Sequence, residues 1–406
     1  MQGKEREEKH MKTETKRFFS HDEDIVALNN REDLQKYLDH IKEDDKIQVC
    51  YINECAALGM FNAPLLLPGF MEENKIDCDD QDAAECCEDY GIFLVFPTEN
   101  KMETLPTRYT AFKSICARAG LSCVSMSNTE EKPNVKPLAP DRKAAIITEC
   151  LKLYSDTAQI LIRDGKVSAM HSKVYGWLMP YDIFEPFEHF AKLIWPGMEF
   201  SYGEVSHEYL YVDYYLHDEL AEDSMKLLLE QFGAKIDGKL KTGIRVSTSD
   251  VAEAALRFSP FYEINGIRVR LGRPLEVIHN VKNTLEKVRQ NVFPEIGMLL
   301  KESEDEVEKL GNMDINFPAG CLQHVVLEKH PVPYEETKAA MDEMTNDFPN
   351  GCKAIDVYLK LNEIAERKVS KNINTFGPAK TVKMFEDVAK LINCDYKSFD
   401  KPIAEK

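Results

Sequence analysis

Long apolar runs are missing from this sequence. Nowhere do its hydrophobic residues approach the ~20 in succession that a membrane-spanning helix requires, and the charged start Met1-Gln2-Gly3-Lys4-Glu5-Arg6-Glu7-Glu8-Lys9 has no apolar stretch of the signal-peptide kind. No membrane partner is expected. Paired cysteines are missing too. The eleven cysteines, an odd number, are scattered without one C-x-x-C, which argues against a disulfide scaffold and for reduced thiols in a cytosol. Phosphate loops of the forms G-x-x-x-x-G-K-[ST] and G-x-G-x-x-G do not occur, nor do G-x-S-x-G or H-E-x-x-H, so the familiar nucleotide-binding, hydrolase and metalloprotease signatures are excluded. His217-Asp218-Glu219-Leu220 spells a retention signal, but internally, where it carries no address. Positive charge is scarce: 51 Lys and Arg stand against 70 Asp and Glu in 406 residues, a net charge of −19. That excludes a uniformly basic coat for a polyanion.

The positive charge that is present is concentrated. Residues 239–290 hold ten lysines and arginines against five acids, the sign expected of a surface contacting a polyanion. At the centre of this island, Phe261 to Leu271 reads as one hairpin, because Asn265-Gly266 supplies the two positive-φ positions of a type I′ turn. Register follows: Ile264 faces Ile267, Glu263 faces Arg268, Tyr262 faces Val269 and Phe261 faces Arg270. One face, with Tyr262, Ile264, Ile267, Val269 and Leu271, is the core face. The other carries Arg268 and Arg270, with Arg273 beyond, and is expected to be exposed. Two arginines at that spacing lie roughly 7 Å apart, about the separation of phosphates along a strand. The plainer alternative is a solvated strand face in which Glu263 partly neutralises Arg268.

A second hairpin is expected at Ile160–Met170, where Asp164-Gly165 makes the turn and Arg163 stands opposite Lys166. Like charges facing each other are mildly destabilising, so this pair either awaits an anion or rotates freely in solvent. Residues 1–24 alternate lysine and glutamate and are expected to be disordered or a frayed helix. Ile25, Leu28, Leu34, Tyr37, Leu38 and Ile41 recur at helical spacing, and Lys46–Tyr51 and Gly91–Phe96 read as strands. Helices are expected from Thr107 to Gly120, from Arg142 to Tyr154, around Tyr181–Leu193, at Asp223–Gln231 and after Asp250, where Glu253 gives capping-box spacing. Ser259-Pro260 would end that last helix. Glu204–Leu216 reads as one extended run, with Val205, His207, Tyr209, Tyr211 and Asp213 on one face. Lys241–Ser247 is a further strand. Helical character then dominates: Val281–Val292, Glu295–Leu310, Tyr334–Thr345, Ala354–Glu366 and Ala379–Leu391.

The expected fold class is α+β, with a mixed antiparallel sheet core built from hairpins, flanking helices and a helical C-terminal region. Its parts are a disordered segment 1–24, an N-terminal α/β region 25–126, a linker or long loop 127–140 marked by Pro133, Pro137 and Pro140, an α+β core 141–293 and a helical region 294–406.

Catalytic and metal constellations are weak. Cys78, Cys86 and Cys87 lie among seven acids in 77–89, but the paired spacings of structural zinc sites are missing. An acidic surface loop with incidental thiols is expected there, and no metal. His171 and Ser172 are strand neighbours pointing to opposite faces, so they are not a nucleophile–base pair. His207, Asp213 and His217 could be assembled into an acid–base cluster, but satisfied core residues explain them better. Tyr202, Tyr209, Tyr211, Tyr214 and Tyr215 could stack bases, though tyrosine in strands more commonly packs with its hydroxyl at a rim. No catalytic residue and no cofactor are expected.

Several short motifs recur in an order that resembles the phage/plasmid-like proteins of domain-of-unknown-function family 932. They are Thr110-Ala111-Phe112, Ala117-Arg118-Ala119-Gly120, Arg163-Asp164-Gly165-Lys166-Val167-Ser168-Ala169, Ser247-Thr248-Ser249-Asp250-Val251, Phe258-Ser259-Pro260-Phe261, Asn265-Gly266 and then His279. The likeness covers about residues 105–290, and Ala354-Ile355-Asp356-Val357-Tyr358 is similar to that family's C-terminal extension. It implies a protein of phages, plasmids or integrative elements in a bacterial cytoplasm, with no assigned reaction. Nucleic-acid handling is suggested by such elements' usual company. The expected function is therefore non-enzymatic binding of single-stranded DNA or another nucleic acid, possibly of the annealing type. Lys241, Arg245, Arg268, Arg270, Arg273, Arg163 and Lys166 are the candidate contacts. The alternative is a self-assembling or protein-interaction module, forming a homo-oligomer or docking on a host protein, whose basic strip meets an acidic surface.

Overall fold

The computed structural model describes residues 18–19, 21–60, 65–89, 91–123, 126, 138–280, 282, 285–372 and 376–404. Most of the expected disordered segment and most of the expected linker lie outside these. The chain forms two compact units, one of residues 1–24 and 36–175, the other of 25–35 and 176–406. The division thus falls at Tyr175/Gly176 and not at 127–140, and the two hairpins expected to share a core belong to different units. Both units combine antiparallel sheets with helices, an α+β fold. Strand β1 (Val26–Leu28) belongs to the second unit, where it pairs with the strand Glu199–Val205. The helical pattern anticipated from Ile25 therefore begins later, at Arg31, and runs to Asp44.

In the first unit, β2 (Lys46–Tyr51), β6 (Thr157–Arg163) and β7 (Lys166–Ser172) form one sheet, in that order; β3 (Ala56–Gly59), β4 (Ile92–Pro97) and β5 (Met102–Pro106) form another. The helices Tyr109–Arg118 and Pro140–Leu151 pack into a shared core through Phe112, Ile115, Ile147 and Leu151, all fully buried against Ile92, Leu94 and Ile160. Gly120 closes the first of these helices at φ +70°, the left-handed conformation glycine adopts without strain. Residues 77–89, expected as an acidic loop, contain the helix Asp80–Asp89. Ala83, Cys86 and Cys87 recur at i, i+3 and i+4, and their buried side chains cluster with Phe93. Cysteine behaves here as a small hydrophobe. No cluster of metal-ligating side chains is found among the described residues. Part of the segment expected to be disordered is placed: Phe19 is buried, and its ring packs edge-on to that of Tyr37.

The Asp164-Gly165 hairpin has the expected turn, with φ +54° and +74°, and the expected pairing of Arg163 with Lys166. Neither cation is at the surface. Arg163 is 1% exposed and donates from Nε and Nη2 to the two carboxylate oxygens of Asp45, at 2.6 and 2.7 Å. Lys166 Nζ lies 2.6, 3.0 and 3.2 Å from Glu85, Asp22 and Asp82. The anion that two opposed cations call for is supplied by the chain itself.

In the second unit, β8 (Glu199–Val205), β9 (Leu210–Tyr215), β10 (Lys241–Thr248), β11 (Leu256–Ile264), β12 (Ile267–Val269) and β13 (Leu275–Val277) join β1 in a seven-stranded antiparallel sheet of order β1-β8-β9-β10-β11-β12, with β13 also on β11. The run Glu204–Leu216 is two strands and not one. Val205 pairs with Leu210, and Ser206 N–H donates to the Tyr209 carbonyl to close the turn between them. Tyr209, Tyr211 and Tyr214 are buried, as packing predicts. No helix follows Asp250; residues 250–254 are turns and bends, with Ala252 at φ +65°. Pro260 lies inside β11. On that side β11 bonds β13 through 256–258 and β12 through 262–264, so the proline, which has no N–H, sits at the gap between two partners.

The helices Pro180–Ile194, Glu219–Gln231, Leu299–Gly311, Pro318–Lys329, Tyr334–Asp347, Ala354–Lys371 and Pro378–Ala389 complete this unit, with a small ladder of β14 (Asp314–Ile315) and β15 (Cys352–Lys353). Pro318–Lys329 was not anticipated. No helix among the described residues is long and apolar enough to cross a membrane.

Candidate anion-binding pocket

The Asn265-Gly266 hairpin folds in the derived register, with Tyr262 opposite Val269, Glu263 opposite Arg268 and Ile264 opposite Ile267. Its turn has φ +52° and +78°. Tyr262, Ile264, Val269 and Leu271 are buried as expected. The opposite face departs from expectation, because it is covered too. The helix Ala354–Lys371 packs on β12: Asn362 Oδ1 accepts from the Arg270 backbone N–H at 3.1 Å, and the Tyr358 hydroxyl donates to the Arg270 carbonyl. Gripped on both sides of its own backbone, Arg270 is carried inward, and only 3% of it is exposed.

Three arginines meet on this face. Arg245 of β10 donates from Nε and Nη2 to the two oxygens of Asp213 in β9, at 2.6 and 2.7 Å. Arg268 donates from Nη1 to the same carboxylate at 2.6 Å and from Nη2 to Ser201 at 3.1 Å. Glu263 is engaged instead by Lys241, at 3.1 Å across the β10–β11 pair, and by the Tyr215 hydroxyl. Burial alone would push the Asp213 carboxyl up, but Arg245 and Arg268 hold it down at about 2. Nearby Glu366 feels the same arginines, yet burial outweighs them and raises its carboxyl above the ordinary range.

Arg270 is different, because neither Nη1 nor Nη2 has a hydrogen-bond partner among the described residues. Its guanidinium lies over aromatic faces instead, with Cζ 4.8 Å from the Phe261 centroid and 5.1 Å from that of Phe385. Arg245 shares Phe385 at 5.2 Å and lies over Tyr211 at 4.1 Å, and its Nη1 is also without a partner. Gly243 permits this layering. A β-carbon there would fall within the Phe261 ring, its cross-strand neighbour. Burial and the adjacent Arg245 lower Arg270 to about 9, so it still carries its charge at neutral pH.

Arg245 and Arg270 line a pocket of about 360 Å³ between this face of the sheet and the helix Pro378–Ala389, which contributes Phe385 and Glu386. Arg257, Arg273 and Lys390 also line it. Arg257 is neutralised by Glu386, from Nη1 at 2.7 Å, and by Glu276, from Nε at 3.0 Å. Lys390 bonds Asp387 at 2.7 Å. Arg273 is exposed and makes no ion pair among the described residues.

Of the candidate contacts, Arg245, Arg270 and Arg273 therefore meet at one pocket. Arg268 stands behind it on Asp213, Lys241 lies in its ion pair with Glu263, and Arg163 and Lys166 belong to the other unit. Arg257 and Phe385 were missed as site residues. Arg257 lay in plain view within the basic island, whereas nothing local marks Phe385, one apolar position of a helix, as a partner of arginines more than a hundred residues earlier. Compared with family models, curated proteins and solved structures, the chain has no significant match.

Proposed function

We propose that the chain binds nucleic acid without catalysing a reaction on it, and that a phosphate of a single strand seats in the arginine pocket. The observation that carries this reading is the Arg270 guanidinium, 3% exposed, on a pocket wall with both Nη groups lacking partners among the described residues. An unpartnered buried donor costs about 1–3 kcal/mol, more when charged, and guanidinium–phosphate pairing is the interaction that offsets it with matching geometry. The net charge of −19 works against a long duplex lying along the protein. A single strand entering one basic recess avoids most of that repulsion. The motif order resembling phage and plasmid proteins supports the same reading and extends it to a mobile-element protein acting in a bacterial cytoplasm.

Anisotropy of a labelled single-stranded oligonucleotide, titrated at low and moderate salt, tests the proposal. Few phosphates are gripped, so affinity should fall with a shallow salt slope, about 0.7 per phosphate contacted. Arg270→Met combined with Arg273→Glu should weaken binding at least tenfold. Absence of binding at low salt, or binding indifferent to that double substitution, would overturn the reading.

A further inference from the structure

We infer that the pocket selects a terminal phosphate, a monoester, over an internal phosphodiester. The inference deepens the reading above and rests on the pocket being an anion site. Its first support is donor number. Three guanidinium nitrogens of these pocket-lining arginines, Nη1 and Nη2 of Arg270 and Nη1 of Arg245, are buried without partners among the described residues. A monoester phosphate presents three free oxygens to such a set, whereas a diester presents two and spends the other two on the chain.

The second support is recess. Arg245 and Arg270 are each 3% exposed, held by Asp213 and by the Phe261 and Phe385 rings, so the ligand must come down to them. A pocket of about 360 Å³ is at the small end of the range for ligand sites. An internal phosphate would have to bring two strand arms into that space, while a strand end brings one. The third support is the rim. Glu276 and Glu386, the carboxylates that hold Arg257, also line the pocket and disfavour a second anionic arm there. Arg273, exposed and without an ion-pair partner among the described residues, is available to the phosphate that follows the first.

Terminal phosphates occur on strand ends and on free mononucleotides, and the test separates them. Binding of four probes is measured by calorimetry and by thermal shift: a 5′-phosphorylated oligothymidylate, the same strand with a 5′-hydroxyl, the strand with a 3′-phosphate, and thymidine monophosphate. The expected result is at least tenfold tighter binding of a phosphorylated end than of the 5′-hydroxyl strand, with the preference erased in Arg270→Met. Thermal unfolding of that variant confirms that it is folded. Equal, Arg270-dependent affinity for phosphorylated and hydroxyl strands overturns this inference and leaves the nucleic-acid reading standing. Binding of thymidine monophosphate without any strand keeps the terminal-phosphate site and overturns the nucleic-acid reading. If no probe binds, both fall.

Discussion

Arg245 grips Asp213 through two parallel hydrogen bonds of 2.6 and 2.7 Å, both side chains being almost completely buried, and Arg268 closes on the same carboxylate from the next hairpin. One anion thus holds two cations from strands β10 and β12 against β9. Asp213→Asn removes that charge and leaves the buried Arg245 and the half-buried Arg268 uncompensated, so a loss of about 3–5 kcal/mol is expected, read by chemical denaturation. The pair also sets an acid limit. Asp213 is lowered to about 2 from an unfolded value near 3.8, so its contribution is fully present above the unfolded value and is lost as pH falls through about 2. The difference corresponds to about 2 kcal/mol. Wild-type stability should therefore decline between pH 4 and 2, and Asp213→Asn should remove part of that decline.

Arg270 poses the opposite case. With no carboxylate bonded to it and both Nη groups unmatched among the described residues, it weighs against folding. Replacing it with an apolar side chain of similar length removes the cost of its unmet donors, about 1–3 kcal/mol. Arg270→Met should hold or raise the thermal midpoint while abolishing anion binding. A large fall in midpoint would mean that the guanidinium is structural and that its orphaned nitrogens find partners in the folded protein.

Gly243 is the hidden support of this arrangement. A β-carbon at that position collides with the Phe261 ring, the platform on which Arg270 rests. Gly243→Ala should displace the ring and cost about 1–3 kcal/mol, the usual range for overpacking. Near-ultraviolet circular dichroism and denaturation check it. Gly266→Ala, at φ +78° with open space around it, should cost only the backbone strain, about 1 kcal/mol, and leave the pocket intact.

The contrast between these two glycines marks what was legible in the sequence. Asn265-Gly266 and Asp164-Gly165 dictate their turns locally, so the pairs next to each turn could be read; beyond Ile162 a bulge, which no local signal marks, shifts the register of the second hairpin. Burial of Arg270 could not be read. It depends on Tyr358 and Asn362, 88 and 92 residues further along the chain, and a strand face covered by a distant helix has the same local sequence as one covered by water. The turn at Ser206–Tyr209 escaped notice because it contains neither glycine nor proline. The helix expected at Asp250 had capping-box spacing, but Leu256 already starts strand β11, which leaves too few residues for a helix before it. The helix Asp80–Asp89 was readable, provided Cys86 and Cys87 had been counted as apolar.

Lys166 supplies the last test, in the other unit. Its ammonium is 4% exposed and faces Asp22, Asp82 and Glu85 within 3.2 Å. Burial works against its charge, but the three carboxylates prevail and raise it above the ordinary lysine value. A raised group stabilises fully below its unfolded value, near 10.4, and that contribution is lost as pH rises through the folded one. Lys166→Met leaves Asp82, itself 2% exposed, buried beside two like charges, and about 3–5 kcal/mol should be lost at neutral pH. If Lys166 were instead a nucleic-acid contact, the variant would keep its stability and lose oligonucleotide affinity, so paired denaturation and anisotropy measurements on this one substitution separate the two roles.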